Sequence, residues 1–503
     1  MSEARLVAHP DLTVADVPRR LFGSFVEHMG RCVYTGIYEP GHPTADEDGF
    51  RKDVLELVRE LGVSAVRYPG GNFVSGYRWE DGVGPKDERP TRLDPAWHSI
   101  ETNEFGLDEF VNWATKAEVE VMMAMNLGTR GTQEALDLVE YANHPSGTQL
   151  SDARIANGAE KPHGIRMWCL GNEMDGPWQT GHKTAHEYGR LAAETGNALR
   201  QLDPDLELVA CGSSNAQMAT FGTWEDTVLD LAYDQVDFVS LHAYYYEGNG
   251  VDRASFLASA VDMDRFIEAV VATADAVGAR RRSEKRIKLS FDEWNVWYVP
   301  RFSGENGPRS TWERHPRLIE DEYSALDAVV VGSLLISLLK HSDRVRSASQ
   351  AQLVNVIGPI RSEPGGPAWR QTIFYPFAQT AAHAKGSVLH TPVQSPTVGT
   401  SRFGDVAAVD AVVTHDDGAI TVLAVNRSQD GVVALDVDLS AWTGIRILEA
   451  SMIHEDDPDL TNNAGHQDRV TPRELPGVTV TDGRLHADLP PVSWAMIRLT
   501  DRA

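Results

Sequence analysis

Apolar and polar positions alternate in two distinct ways between residues 20 and 355. Short runs of apolar, β-branched residues are followed by longer stretches in which apolar residues recur every three or four positions. The first pattern predicts buried β-strands, and the second predicts helices with one apolar face. The predicted strands are residues 21–26, 63–68, 119–126, 165–170, 206–211, 236–242, 287–292 and 345–354.

The segments between these strands carry the helical spacing. It is clearest at residues 49–61, 107–117, 182–202 and 254–277. An apolar run at 328–339 predicts a buried helix, because it is shorter than the roughly 20 residues of a membrane span. Eight alternating strand and helix units are typical of a (β/α)8 barrel, whereas a doubly wound open sheet rarely needs so many.

The pattern changes after residue 376. Short strand-like runs at 406–413, 420–425, 432–439 and 492–499 are separated by Asp-Gly pairs, which favour tight turns. This arrangement predicts an antiparallel β-sandwich. A strand-like piece at residues 4–8 is expected to join it. The predicted domains are therefore an N-terminal segment at 1–17, a catalytic barrel at 18–375 and a β-sandwich at 376–503.

Composition and charge narrow the possible functions. The chain has 503 residues, with 46 Lys and Arg against 73 Asp and Glu, a net charge of −27. Such an acidic chain is repelled by nucleic acid and by anionic membranes, so neither is expected as a partner. Three cysteines without CxxC spacing, together with an N-terminus that has no long apolar stretch, predict a cytoplasmic protein without a disulfide framework.

The candidate chemistry lies where the predicted strands end, because barrel active sites form at the C-terminal ends of the strands. Glu173 and Glu293 follow runs that are otherwise apolar, at the ends of strands four and seven. Ionisable groups are costly in such positions unless they are paired or functional. Glycosidic bond cleavage needs two carboxyl groups, one to protonate the leaving oxygen and one to attack or to activate water. The pair therefore favours a glycoside hydrolase over a structural ion-pair role.

Other classes of function fit the sequence less well. His182 and His186 are four residues apart, but the sequence HKTAHE lacks the glutamate of an HExxH zinc site, so surface positions and no metal are expected. Neither GxGxxG nor GxxxxGK[ST] follows a strand, so no cofactor is expected. A non-catalytic sugar-binding protein would share the tryptophan-rich composition, but it would not need both glutamates.

Several long motifs give the chain a family resemblance. They are RYPGGNFVSGYRWEDGVGP (67–85), WCLGNEMDGPWQ (168–179), SLHAYYY (240–246), DEWNVWY (292–298) and AQLVNVIGPI (351–360). Together they resemble the motifs of glycoside hydrolase family 51, the α-L-arabinofuranosidases, in the family's order from residue 20 to about 375. The resemblance implies a (β/α)8 barrel with a β-sandwich built mostly from the C-terminus.

The same resemblance implies a role for each matching residue. Glu173 would be the general acid/base and Glu293 the nucleophile of a retaining, exo-acting enzyme that removes terminal α-L-arabinofuranosyl residues from arabinan- or arabinoxylan-derived oligosaccharides. The matching sugar-binding positions are Glu27, Asn72, Asn172, Tyr244 and Gln352, and the matching pocket-forming positions are His242, Trp97 and Trp297.

Some questions stay open at this level. The resemblance implies a homo-oligomer, often a hexamer, and the loop at 300–316 is expected to shape the leaving-group side. The alternative within the enzymes is another retaining barrel glycosidase, such as a β-xylosidase or an endoglucanase, which would share the two glutamates.

Overall fold

A closed barrel of eight parallel strands forms the centre of the computed structural model, which describes residues 2–302 and 311–502. The strands follow chain order around the barrel, and the eighth closes on the first by pairing Ser349 with Gly23. Each predicted barrel strand is found, and the predicted fold class is confirmed. In chain order the strands are Gly23–Phe25, Ala65–Tyr68, Glu120–Ala124, Met167–Leu170, Glu207–Ala210, Phe238–Tyr245, Lys288–Val296 and Val345–Gln350.

Helices cover the outside of the barrel. The predicted helix at 107–117 is found with the same limits, whereas the one predicted at 254–277 is divided at Ala258 into two. The apolar run at 328–339 lies in a buried helix, as predicted. The α-helices are Lys52–Leu61, Leu107–Ala117, Thr132–Asn143, Gln149–Ala156, Ala185–Leu202, Thr223–Ala232, Arg253–Leu257, Ser259–Arg281, Val299–Phe302, Ala325–Lys340 and Phe374–His383.

Two further sheets form a sandwich from the C-terminal part of the chain and the N-terminal segment. Strand Ser2–Val7 pairs in parallel with Val433–Asp438, and Thr13–Asp16 pairs with Ser387–Leu389. The first sheet holds Ser2–Val7, Val433–Asp438, Arg484–Leu489 and Thr479–Thr481 in that order. The second holds Thr13–Asp16, Ser387–Leu389, Val409–Asp416, Ala419–Asn426, Ser493–Thr500, Arg446–Ile453 and Arg473–Glu474. The exact domain limits stay predictions.

The buried helix Ala325–Lys340 joins the barrel to the sandwich. It is apolar on all sides because one side packs on barrel elements and the other on the second sheet of the sandwich. Gly332 lies directly beneath the fully buried indole of Trp494, where an added Cβ would approach Nε1 to 2.6 Å. Within the described residues, no helix has both the length and the apolar character that a bilayer crossing requires.

Candidate active site

A cavity of about 560 Å³ opens at the C-terminal end of the barrel. Eight of the ten residues predicted for the site line it, and the other two, Asn172 and His242, are buried directly behind its wall. The lining consists of Phe25, Glu27, Met29, Gly71, Asn72, Trp97, Glu173, Trp178, Ser214, Asn215, Gln217, Tyr244, Tyr246, Glu293, Trp297, Val299, Phe302, Ile319, Gln352, Val356 and Ile357.

Glu173 follows the fourth barrel strand with a left-handed backbone, at a φ of 44°. Such a conformation is costly for a residue with a side chain, and it is most common at functional sites. Both carboxyl oxygens have partners: Nδ1 of His242 lies 2.9 Å from Oε1, and Nε1 of Trp178 donates to Oε2 over 2.6 Å. Burial raises the pKa of Glu173, and the charge of Glu293 raises it further, against these two hydrogen bonds.

Glu293 lies in the seventh strand and is held by cationic and hydroxyl donors. Arg67 donates to Oε1 over 2.8 Å, and the Tyr244 hydroxyl donates to Oε2 over 2.7 Å. Burial alone would raise the pKa of Glu293, but His242, Arg67 and Tyr244 outweigh it and lower this pKa. The surroundings of the two glutamates therefore shift their pKa values in opposite directions.

His242, from the sixth strand, lies between the two glutamates. Its Nδ1 is 2.9 Å from Glu173 and 3.6 Å from Oε2 of Glu293. Burial disfavours the imidazolium ion, but the two carboxylates outweigh that effect and raise the pKa of His242. One oxygen of Glu173, one oxygen of Glu293 and a ring nitrogen of His242 all lie within 4.8 Å of one another.

Glu27, after the first strand, is the third carboxyl group of the cavity. Oε1 accepts from the Phe73 amide over 2.9 Å and from the Trp97 indole over 2.8 Å, and Oε2 accepts from Gln352 over 3.2 Å. Burial, with a contribution from Glu293, raises the pKa of Glu27 to about 8. The glycine turn after the second strand is needed here, because a Cβ on Gly70 would lie 2.6 Å from Cγ of Glu27.

Arg67, the first residue of the motif at 67–85, is a residue of the site for which the sequence predicts no role. Its side chain is 1% exposed and connects two predicted residues: it donates to Glu293 and, over 2.6 Å, to Oδ1 of Asn172. Its Nε also lies 3.8 Å from a carboxylate oxygen of Asp292. The signal for Arg67 was present in the sequence, since an arginine interrupts the apolar run that forms the second strand.

The tryptophans divide between the cavity and the core. Trp97 and Trp297 line the cavity as predicted, and Trp297 packs edge-on against Tyr244 with ring centroids 5.0 Å apart. Trp178, which was not predicted as a site residue, also lines it. By contrast, Trp168 and Trp294 are fully buried in the barrel.

Among the residues that the structure describes, two groups of side chains have the composition of metal ligands. One is Glu173, His242 and Glu293, whose mutual contacts are described above. The other is residues 46–48, whose three carboxylates surround the ammonium group of Lys116. His182 and His186 are exposed, as the sequence predicted. Of the loop predicted at 300–316, residues 303–310 lie outside the described residues.

A parallel barrel with a partly buried and a buried glutamate close together at the ends of strands four and seven defines a class, the barrel glycoside hydrolases. Comparison with known proteins identifies the family within this class. Residues 57–270 match the model for the α-L-arabinofuranosidase 1 domain, and residues 292–493 match the model for the α-L-arabinofuranosidase C-terminal domain.

Relatives match over the whole chain. An intracellular exo-α-(1→5)-L-arabinofuranosidase of Streptomyces lividans is 59% identical, over 100% of this chain and 76% of the relative. An exo-α-(1→6)-L-arabinofuranosidase of Bifidobacterium longum is 56% identical, over 99% of this chain and 98% of the relative. A solved structure of a family 51 α-L-arabinofuranosidase from Bifidobacterium longum is 52% identical, with a TM-score of 0.95 and 99% of each chain covered.

The chain therefore belongs to the α-L-arabinofuranosidases of glycoside hydrolase family 51, as its motifs predicted. It is a hydrolase of glycosidic bonds. The predicted cytoplasmic location agrees with the names of several relatives, which call them intracellular enzymes.

Proposed function

We propose that this protein is a retaining, exo-acting α-L-arabinofuranosidase in which Glu293 is the nucleophile and Glu173 is the general acid/base. The observation that carries the proposal is the pair of glutamates in the cavity, Glu293 buried and Glu173 partly buried, with one oxygen of each within 4.8 Å of the other. Retaining glycosidases have carboxyl groups about 5–5.5 Å apart, whereas inverting enzymes need roughly 6.5–9.5 Å to admit a water molecule. The short separation therefore supports direct attack by Glu293.

The surroundings of each glutamate support the assignment of roles. Arg67, Tyr244 and His242 favour the ionised form of Glu293, which a nucleophile requires. Burial and the neighbouring charge of Glu293 raise the pKa of Glu173, which favours the protonated form that an acid requires. In the first step, Glu293 forms a bond to the anomeric carbon while the bond to the leaving oxygen breaks, and that oxygen takes the proton of Glu173.

The second step uses the same residues with their charges exchanged. Once Glu293 is an ester its charge is gone, so the pKa of Glu173 falls and its carboxylate can accept a proton from water. The resulting hydroxide equivalent attacks the anomeric carbon, the ester bond breaks, and Glu293 is released as a carboxylate. Two inversions at one carbon retain the configuration of the sugar.

The remaining predicted residues would bind the arabinofuranosyl ring. Glu27, Asn72, Tyr244 and Gln352 line the cavity, and Oε1 of Gln352 is buried without a hydrogen-bond partner among the described residues. A sugar hydroxyl would satisfy this oxygen. Asn172 is held by Arg67 beside the glutamates, where it would reach the 2-hydroxyl, and Trp97 and Trp297 would bound the ring.

The proposed substrates are short α-linked arabinofuranosyl oligosaccharides derived from arabinan or arabinoxylan. The Streptomyces lividans relative is named for the (1→5) linkage and one Bifidobacterium longum relative for the (1→6) linkage, at 59% and 56% identity. Release rates of arabinose from (1→5)- and (1→6)-linked disaccharides, measured side by side, would determine the preference. The proposed homo-oligomer is tested separately by light scattering of the purified protein.

The central test measures initial rates of the wild type, Glu293→Ala and Glu173→Ala on 4-nitrophenyl α-L-arabinofuranoside. The β-D-xylopyranoside and β-D-glucopyranoside are measured in parallel. We expect Glu293→Ala to lose nearly all turnover, and Glu173→Ala to keep activity on aryl glycosides because their leaving groups need little protonation. A wild type that prefers the xyloside or glucoside would favour the alternative barrel glycosidase.

Azide separates the two roles further. It should restore turnover of Glu173→Ala and give an arabinofuranosyl azide with the anomeric configuration of the substrate. In Glu293→Ala it can only replace the nucleophile, so any azide product would have the opposite configuration. An azide of opposite configuration from Glu173→Ala, or of retained configuration from Glu293→Ala, would contradict the roles proposed for the two residues.

A further inference from the structure

Trp178 is an aromatic residue of the cavity rim that contacts the reacting group directly. It lies five residues after Glu173, and its side chain is 49% exposed. The indole rests against Gly176, where a Cβ would approach Cε2 to 2.6 Å, so a residue with a side chain there would displace the ring. In this position Nε1 donates to Oε2 of Glu173 over 2.6 Å.

Both oxygens of Glu173 have a hydrogen-bond partner within the protein. His242 lies 2.9 Å from Oε1 and Trp178 lies 2.6 Å from Oε2. An acid/base must present one oxygen to the leaving-group oxygen of the substrate at about hydrogen-bond distance. The leaving-group oxygen must therefore compete with one of the two existing partners for its place beside the carboxyl group.

The two partners differ in their freedom to move. His242 is in a barrel strand, is 2% exposed and is held between two carboxylates. Trp178 is on a loop, is half exposed, and borders the open cavity. Its contact is the one that substrate can displace at small cost.

We propose that Trp178 is a positioning residue of the acid/base: it holds Oε2 of Glu173 while the leaving-group side is empty and releases this oxygen when a leaving group enters. The inference rests on the proposed acid/base role of Glu173. It adds to that role a link between occupancy of the leaving-group side and the protonation of this carboxyl group.

The link follows from which form of the carboxyl group the indole favours. An N–H that donates to a carboxylate stabilises the ionised form, so the bond from Trp178 lowers the pKa of Glu173. Release of the bond on substrate binding makes Glu173 hold its proton more tightly, as the first step needs. Return of the bond after the leaving group departs favours the ionised base of the second step.

Substitution of Trp178 leaves the other charged and titratable groups around Glu173 chemically unchanged. They come from the second, sixth and seventh strands and from the loop after the fourth. These groups are Arg67, His242, Tyr244, Asp292, Glu293 and Asp175. A change limited to the indole N–H therefore isolates the effect of Trp178.

The test is the pH dependence of kcat/KM and kcat for Trp178→Phe, with an unactivated arabinofuranosyl disaccharide as substrate. The basic limb of kcat/KM reports the acid of the free enzyme, so it should move to higher pH when the indole N–H is removed. The basic limb of kcat should move less, because the bond is already broken in the substrate complex. The acidic limb, which reports the ionisation of Glu293, should stay at the same pH as in wild type.

Two further variants complete the experiment. Trp442→Phe makes the same change in the sandwich, where Trp442 packs against His415, and should leave both limbs unchanged. Trp178→Leu also lacks the indole N–H and should show the same shift of the basic limb. It takes the place of Trp178→Phe if the melting temperature of Trp178→Phe shows that this variant folds poorly.

An unmoved basic limb of kcat/KM, or equal shifts in kcat/KM and kcat, would overturn the inference. Failure of the proposed function would look different, because wild type would then not hydrolyse the arabinofuranoside or Glu173→Ala would cleave the disaccharide as wild type does.

Discussion

Replacement of Arg67 by lysine tests how the site holds its nucleophile. The guanidinium group of Arg67 spans two partners, with NH1 donating to Glu293 over 2.8 Å and NH2 donating to Asn172 over 2.6 Å. An ammonium group is a single point of charge and does not reproduce this planar fork. Lysine should therefore keep the ion pair with Glu293 and leave Oδ1 of Asn172 without its donor.

The expected loss follows from the hydrogen bond that is removed. A hydrogen bond that involves a charged group contributes about 1.5–3 kcal/mol. If this free energy holds Asn172 and Glu293 in their reactive positions, kcat/KM on 4-nitrophenyl α-L-arabinofuranoside should fall roughly ten- to 150-fold. The melting temperature should also fall, because Oδ1 of Asn172 stays buried without its donor, although the carboxylates of Glu293 and Asp292 keep a cation beside them.

A double-mutant cycle with Asn172→Ala shows whether this hydrogen bond causes the loss. Without Asn172, the change from arginine to lysine should cost much less activity than it does in the wild type. Arg130→Lys is a control, because Arg130 pairs with Glu80 on the surface and does not line the cavity. Additive losses in the cycle, or wild-type activity in Arg67→Lys, would refute the reasoning.

Two stability measurements test other parts of the structure. The pKa of Glu27 is about 8 in the folded protein against 4.5 for an ordinary glutamate, so wild type loses stability as pH rises from about 5 to 8. Glu27→Gln has no carboxyl group to ionise, so its melting temperature minus that of wild type should increase as pH rises from about 5 to 8. A difference in melting temperature that does not change with pH would contradict a buried, protonated Glu27. Gly332→Ala places a methyl group against Trp494 and should cost about 1–3 kcal/mol by overpacking. Gly431→Ala, at an open position, should change the melting temperature little, and equal effects of the two changes would contradict the close packing.

Much of the site could be predicted because its residues interrupt apolar runs. Glu173 and Glu293 were found from the sequence since a carboxyl group is costly at the end of a buried strand and needs a reason to be there. Gln352 is predicted by its place in the motif AQLVNVIGPI, and the structure places its side chain in the cavity, whereas the nearby Gln350 is buried in the interior. Trp178 was counted as one of many tryptophans, because nothing in its local sequence shows what its indole contacts.

The sequence by itself determined the order and type of the elements. Strand and helix formation depends on the burial pattern of neighbouring residues, which is visible along the chain as spacings of two or of three and four. This local information indicated the eight strands of the barrel and five of the eleven strands in the two sheets of the sandwich. It also indicated which strand ends carry polar side chains.

Only the tertiary structure decided which of these side chains meet. Arg67 and Glu293 are 226 positions apart, and Glu27 and Gln352 are 325 apart, yet each pair is joined by a hydrogen bond. Their contact depends on closure of the barrel and on the stagger of its strands, which the pattern along one strand does not encode. The opposite pKa shifts of Glu173 and Glu293 arise for the same reason, since they come from partners on other strands and not from the residues beside them.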